Sequence, residues 1–362
     1  MREHEREKNL FFQLLKSSLG IGKPMSDALT VDEWTWMWNI GHQQSLQGII
    51  FYGIRNGRVP KPHRELLLHW YAVNEQIKFR NRQTNKAACE VVKEFAARGF
   101  RGCVLKGQGN VLNYPDASIR TSGDIDIWVE GGTKKVLCFV REKLASGQFC
   151  YHHIDAGVCQ GIEVEVHYRP SFMNNLIHNG RLQKWFEEKA DEEFSHEVEL
   201  PDDAGKVCVP TNAFNRIYQL AHINHHIIHE GIGLRQIIDY YFLLKQGFTE
   251  KERAHDERLL KHLGLYKVAS AVMYVLNDTL GLEEKCLLVA PNEKLGRFLL
   301  DEIMLSGNFG QYDKRVKHGA SPWEKNLQRL QRDWRLVWYF PSECLWEPIF
   351  RWYHFFWRLA HR

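Results

Sequence analysis

The chain has 362 residues, 44% of them hydrophobic and 25% charged, the balance of a globular protein with material for a sizeable core. That balance excludes a disordered chain, a collagen and a coiled-coil rod, and no apolar run approaches the ~20 residues that span a bilayer. Net charge is only +4, from 48 basic against 44 acidic residues, so nothing in the charge calls for a nucleic-acid partner.

Thr30 and Glu33 make a capping-box sequence, and Trp34, Met37, Ile40 and Gly41 then give a helical apolar face. After the proline-punctuated turn at 58–62, a helical pattern covers 64–97, and Arg98 and Gly99 close it. At residue 102 the period changes to two, and 102–105 reads as a short buried strand. From 124 to 129 the alternation is clean, with Asp124, Asp126 and Trp128 on one face and Ile125, Ile127 and Val129 on the other. Thr133 is placed to cap a helix through Leu144. Segments 149–154 and 162–168 read as a hairpin turning at Asp155, Ala156 and Gly157, and 206–209 as one last strand. Thr211 then caps a helix to His229, followed by helical patterns over 234–244 and 260–280 and an aromatic C-terminal tail. The expected fold is α+β, a small mixed sheet with packed helices. It divides into an N-terminal helical region (1–98), an α/β core (99–210) and a C-terminal helical domain (211–362).

Eight widely spaced cysteines, none in a Cys-x-x-Cys pair, read as reduced core residues of a cytoplasmic chain. The charged run 1–8 does not suit a secretory leader.

The chemistry gathers around the first strands. Asp124 and Asp126 point to one side of a strand, as carboxylates sharing divalent metal do, although the same pair also describes a solvated strand edge. A glycine turn at 107–109 after a short strand lets backbone N–H groups approach phosphate, and Lys106 and Arg120 bring positive charge. Glu163 and Glu165 both offer a third carboxylate with the same facing, and parity does not choose between them.

Lys106 and Gly107, then Arg120, Ser122, Asp124 and Asp126, then Glu165 and His167 form a pattern that resembles the DNA-polymerase-β-type nucleotidyltransferase superfamily. Within it, the chain is most similar to a poorly characterised bacterial nucleotidyltransferase family, with the likeness running from 103 to 245 through His222, Arg235 and Asp239. It is also similar to abortive-infection-type nucleotidyltransferase toxins around 106–107 and 120–126. The resemblance implies a polymerase-β-like core, a nucleoside triphosphate donor such as ATP, and Mg²⁺ or Mn²⁺ held by Asp124, Asp126 and Glu165. It gives Glu165 the further task of orienting or deprotonating the attacking hydroxyl. Lys106, Gly107, Gln108, Arg120 and Ser122 would surround the nucleotide, and Glu163, His167, His222 and Asp239 would face the cleft. The superfamily's Gly-Ser is here Gly107-Gln108, so a phosphate contact made by that serine would pass to Lys106 or Ser122. The acceptor, a small molecule, a protein or an RNA end, is not specified.

Two other readings compete. One is a catalytically silent nucleotide-binding or partner-binding module. The other is a sugar transferase, in which an apolar strand precedes Asp-x-Asp, whereas here polar residues precede Asp124 and the apolar run follows it. Three further expectations concern the remaining features. Asp239 is either near the cleft or an i,i+4 partner of Arg235. The pairs His222/His226 and His225/His229 point along different helical directions with no cysteine placed to join them, which speaks against zinc. Ile349, Trp352, Tyr353, Phe356 and Leu359 make a helical stripe flanked by Arg351, Arg358 and Arg362, expected to dock as core filler rather than lie on a membrane. Asp124 and Asp126, as surface carboxylates, are expected to be replaceable by asparagine without loss of the fold.

Overall fold

The computed structural model describes residues 5–143, 147–317, 319 and 321–361. Four helices open the chain: α1 (Glu5–Ser18), α2 (Val31–Gln43), α3 (Gln47–Arg55) and the long α4 (Arg64–Ala96). The expected capping box forms at α2, where Thr30 accepts from the Glu33 amide at 3.2 Å and Glu33 accepts from the Thr30 amide at 2.8 Å. Strand β1 (Gly102–Leu105), the short helix α5 (Gly107–Asn110), β2 (Ile125–Val129), α6 (Gly132–Lys143), β3 (His153–Cys159) and β4 (Ile162–His167) follow. Helix α7 (Leu176–Glu193) leads to β5 (Glu197–Leu200) and β6 (Gly205–Cys208). The rest is helical: α8 (Asn212–His229), α9 (Leu234–Lys245), α10 (Glu250–His262), α11 (Tyr266–Tyr274), α12 (Glu293–Ser306), α13 (Pro322–Leu336) and α14 (Pro341–Ala360).

The strands form one mixed six-stranded sheet in the order β3-β4-β2-β1-β6-β5. β1 runs antiparallel to β2 and parallel to β6, while β2 and β4 are parallel neighbours with Asp126 opposite Glu165. Helices cover both faces, because alternate residues of β2 are buried in opposite directions. Ile125, Ile127 and Val129 pack with Ala87 and Ala88 of α4, Val136 and Val140 of α6, and Phe350 and Trp357 of α14. Trp128 enters the other core, against Phe194 and Phe214. The expected α+β architecture is what the chain forms.

Several local expectations are corrected. The hairpin turns at Gln160 and Gly161, both with positive φ, as a two-residue turn between the paired Cys159 and Ile162 requires. Asp155, Ala156 and Gly157 lie within β3, where the pairing shifts register. The segment expected as a strand over 149–154 instead reverses on itself, with Phe149 bridging Ile154 and the Cys150 amide bonding the His153 carbonyl at 2.9 Å. Helix α6 begins before Thr133, which therefore sits inside its first turn, and Leu144 lies outside the described residues. The helical pattern over 260–280 is broken at Gly264 (φ +76°), where the Leu265 amide returns to the Leu260 carbonyl at 2.8 Å and closes α10.

The cysteines are all free, but they are not all core residues: Cys138 is exposed and Cys150 lines a cleft. Among the described residues no helix is long and apolar enough to cross a membrane.

Gly48 is where α3 meets the short turn Ala117–Ile119 that leads into Arg120. A Cβ there would run into the Ile119 carbonyl oxygen, which is backbone and has little room to yield. Gly48→Ala is expected to lower the urea midpoint by the equivalent of about 1–3 kcal/mol. An unchanged midpoint would show that this approach is not tight.

Candidate active site

Parallel pairing of β2 and β4 sets the floor of the site. With Asp126 opposite Glu165, the side chains at 124, 126, 165 and 167 share one face of the sheet. Carboxylate oxygens of Asp124, Asp126 and Glu165 all lie within 4.8 Å of one another. Glu165, not Glu163, is the residue brought to this group; Glu163 is exposed and does not line the cleft. Asp124 is the most open of the three, yet its carboxyl is pushed up to about 6, first by the charge of Asp126 and then by desolvation among the groups packed around it. Asp126 is only 5% exposed, which overturns its expected surface position.

Lys106 and His167 hold Asp126 ionised in that burial. Lys106 sits in a positive-φ turn (φ 51°) between β1 and α5, a conformation that costs a non-glycine residue about 1–3 kcal/mol. From there its Nζ donates to Asp126 Oδ1 at 2.8 Å. Burial pulls the ammonium toward neutrality, but the Asp126 carboxylate outweighs it and holds Lys106 above its ordinary range. His167 Nε2 donates to the same oxygen at 2.8 Å and lies 3.4 Å from Glu165 Oε2, while its Nδ1 faces the Arg169 carbonyl at 3.3 Å. Both ring nitrogens thus face acceptors. Burial opposes the charge, yet the bonds to Asp126 and Glu165 raise the imidazole above its usual value. Burial would raise Asp126 itself, but Lys106 and His167 hold it well below the ordinary carboxylate range. Glu165 stays low as well, because the His167 bond outweighs burial.

Arg120 is placed differently from the expected free cation. It lines the cleft, but its guanidinium is spent on a buried fork to Asp239, Nε–Oδ1 at 2.7 Å and Nη2–Oδ2 at 2.8 Å. Tyr114 Oη (2.6 Å) and Asn110 Nδ2 (3.4 Å) complete the shell of Asp239, so the carboxylate is taken by Arg120 and not by Arg235. Arg235 lies alongside. Its Nη1 donates to the Thr121 carbonyl at 3.0 Å, its buried Nε has no partner, and its guanidinium carbon stands 5.4 Å from the Phe309 ring centre. Burial, then repulsion by Arg120, pushes it down to about 10. A buried guanidinium with an orphaned donor at the cleft wall is a ready anion ligand.

Gly107 lines the cleft at the start of α5. The helical turn sends the next side chain the other way: Gln108 is buried and its amide bonds Asn85 of α4, away from the cleft. Ser122 does not line the cleft either, and its buried hydroxyl has no partner.

Eight of the 18 histidines line the cleft, so its wall is imidazole where its floor is carboxylate. His222 Nε2 is 3.1 Å from His226 Nε2, and His226 Nδ1 is 3.2 Å from Glu230. Burial drives His152, His222 and His225 well below their usual pKa, so their rings are neutral. The tight turn at 149–154 adds Cys150, His152 and His153, whose Sγ and ring nitrogens all lie within 4.8 Å of one another. His153 Nδ1 in turn is 3.5 Å from Glu165 Oε2. These three were missed from the sequence; the signal was the Cys-x-His-His run, hidden by reading it as strand.

The cleft encloses about 850 Å³, a volume suited to a small-molecule ligand. A mixed sheet flanked by helices, with Asp124 and Asp126 at the start of β2 and a lysine-glycine turn beside them, is consistent with a nucleotidyltransferase core. The sequence profile of a family described as uncharacterised nucleotidyltransferase matches residues 30–281, more than half the chain, and the chain belongs to that family. No curated protein and no solved structure matches it.

Proposed function

We propose that the chain moves a nucleoside monophosphate from a nucleoside triphosphate to a hydroxyl or phosphate acceptor, with Mg²⁺ or Mn²⁺ held by Asp124, Asp126 and Glu165. The observation that carries this reading is the meeting of three carboxylates from neighbouring strands, oxygens within 4.8 Å, on the floor of a nucleotide-sized cleft. An all-oxygen donor set suits a hard divalent ion, and the repulsion felt by Asp124 marks a place short of positive charge. When bound, the metal neutralises charge on the attacking and leaving oxygens of an in-line displacement. Glu165, kept ionised by His167, takes the proton of the acceptor hydroxyl as the new bond to the α-phosphorus forms and pyrophosphate departs. Lys106 and Arg235 meet the phosphates as cations already seated in the wall, and the Arg120–Asp239 pair holds the segment before Asp124 in place.

Lys106→Ala is expected to weaken triphosphate binding about tenfold or more, the worth of one charge-assisted bond, while Lys106→Arg retains part of it. Equal affinity in wild type and Lys106→Ala would remove this lysine from the phosphate site.

The deciding experiment is calorimetric titration with each common ribonucleoside triphosphate, with and without Mg²⁺, on the wild type and Asp124→Asn. Mg²⁺-dependent binding lost in the variant is expected. Preference for a UDP-sugar would move the chemistry to sugar transfer, and tight binding without turnover on any acceptor would leave a nucleotide-sensing module.

A further inference from the structure

The last two helices form a hairpin, tied by Arg351 Nη1 to Asn326 Oδ1 at 3.5 Å. It docks through Leu336, Phe340, Cys344, Phe350 and Trp357, all buried. The stripe expected to fill the core points the other way. On α14, Leu345, Ile349, Trp352, Phe356 and Leu359 recur at helical spacing and are 46–67% exposed. On α13 and the turn after it, Trp323, Leu327, Leu330, Trp334 and Trp338 do the same at 54–81%. Large apolar side chains this open are rare on a surface that meets only water.

The charge beside them is predominantly positive. Among the described residues from 313 to 361, the exposed charged side chains are Lys314, Arg315, Lys317, Lys325, Arg329 and Arg358. The acids of the same stretch are buried or paired: Asp313, Glu343 and Glu347 are buried, Asp333 is half-buried, and the partly exposed Glu324 pairs with Lys317 at 2.7 Å, while Arg315 pairs with Asp313 and with Glu302 of α12.

We infer that α13 and α14 attach the protein to an anionic membrane surface, lying in the interface with their aromatic stripes among the upper acyl chains. Amphipathic helices with tryptophan on the apolar face and mainly cations exposed beside it match that environment on both counts. Neither helix is long and apolar enough to cross the bilayer, so attachment is lateral. A second copy of the chain is a poorer occupant, because pairing like faces would bring the cationic margins together. The hairpin lies outside the matched family span of 30–281, and Arg329 and Arg358 also line the cleft, so the attached face adjoins the cleft rim.

The test is sedimentation of the full chain with vesicles of phosphatidylcholine alone and of phosphatidylcholine mixed with an equal amount of phosphatidylglycerol. Binding is expected to the mixed vesicles only, and to weaken as salt rises. Trp334→Ser/Trp338→Ser and Trp352→Ser/Phe356→Ser should each lower partitioning about tenfold or more, leaving thermal stability and triphosphate binding unchanged. Failure to bind the mixed vesicles, or binding that neither variant weakens, overturns the inference. So does self-association in analytical ultracentrifugation that the same variants abolish without any vesicle binding, which would assign the stripes to a contact between copies.

Discussion

Asp124→Asn and Asp126→Asn are expected to cost nucleotidyl transfer alike, by about a thousandfold or more, yet to move stability in opposite directions. Asp126 is buried between Lys106, which is half-buried, and His167, which is fully enclosed. Replacing its charge by an amide strands the Lys106 ammonium in a low-dielectric site and removes a bond that raises His167. Breaking a buried pair in this way costs about 3–5 kcal/mol. Asp124 faces solvent and suffers the repulsion of Asp126, so Asp124→Asn removes an unfavourable term and holds or raises the melting temperature of the metal-free protein. Thermal unfolding in a chelator, read beside turnover, separates the two variants. Equal melting temperatures would mean that Asp126 is not the electrostatic centre of the floor. Glu165→Gln should remove turnover with less effect on triphosphate binding, whereas Glu163→Gln should change neither, since its side chain stands outside the group.

The second large effect is expected at Arg120 and Asp239. Each residue is more than nine-tenths buried, and the fork between them joins the segment before β2 to helix α9. Asp239→Ala would leave Arg120 beside Arg235 with no carboxylate between them, at about 3–5 kcal/mol. Arg120→Lys should rescue little, because an ammonium cannot make two parallel bonds to one carboxylate. Replacing both by apolar residues of similar size, Arg120→Met/Asp239→Leu, should cost less than Asp239→Ala, as no charge is then stranded. Urea unfolding of the three variants checks this ranking. A double variant worse than Asp239→Ala would show that Tyr114 and Asn110, which also bond Asp239, carry the cost instead.

What the sequence made legible depended on how local the determinant is. The capping box at Thr30 and the N-cap at Thr211, which accepts from the Phe214 amide at 3.2 Å, each need only a few consecutive residues, and both form where expected. The alternation in β2 likewise predicted which side chains meet, because period two fixes facing once a strand exists. Facing alone did not choose between Glu163 and Glu165; that required the register of β4 against β2, a long-range property. Gln108 was misplaced for a similar reason: a four-residue helix after Lys106 turns it toward α4, and nothing in the local sequence announces that helix. Helix α7 and strand β5 went unread, and α14 shows the limit of periodicity. Its pattern showed that an apolar stripe exists but not that the helix would dock by Phe350 and Trp357 and leave the stripe in water.

The strand order also fixes when the molecule can become itself. β1 finds β2 within the same short stretch of chain, but its other neighbour is β6, with Cys103 opposite Cys208. Until that later segment arrives, an apolar strand near the centre of the sheet has one edge of unsatisfied amides and carbonyls. A chain leaving the ribosome therefore passes through a stage in which α4 and the β1–β2 pair are complete and a sticky edge is open. The Arg120–Asp239 fork waits longer still, because its acid lies beyond β6 in α9. Non-local pairings of this kind slow folding, and α4, packed across the face made by β1, β2 and β6, supports β1 but leaves its edge open until β6 arrives.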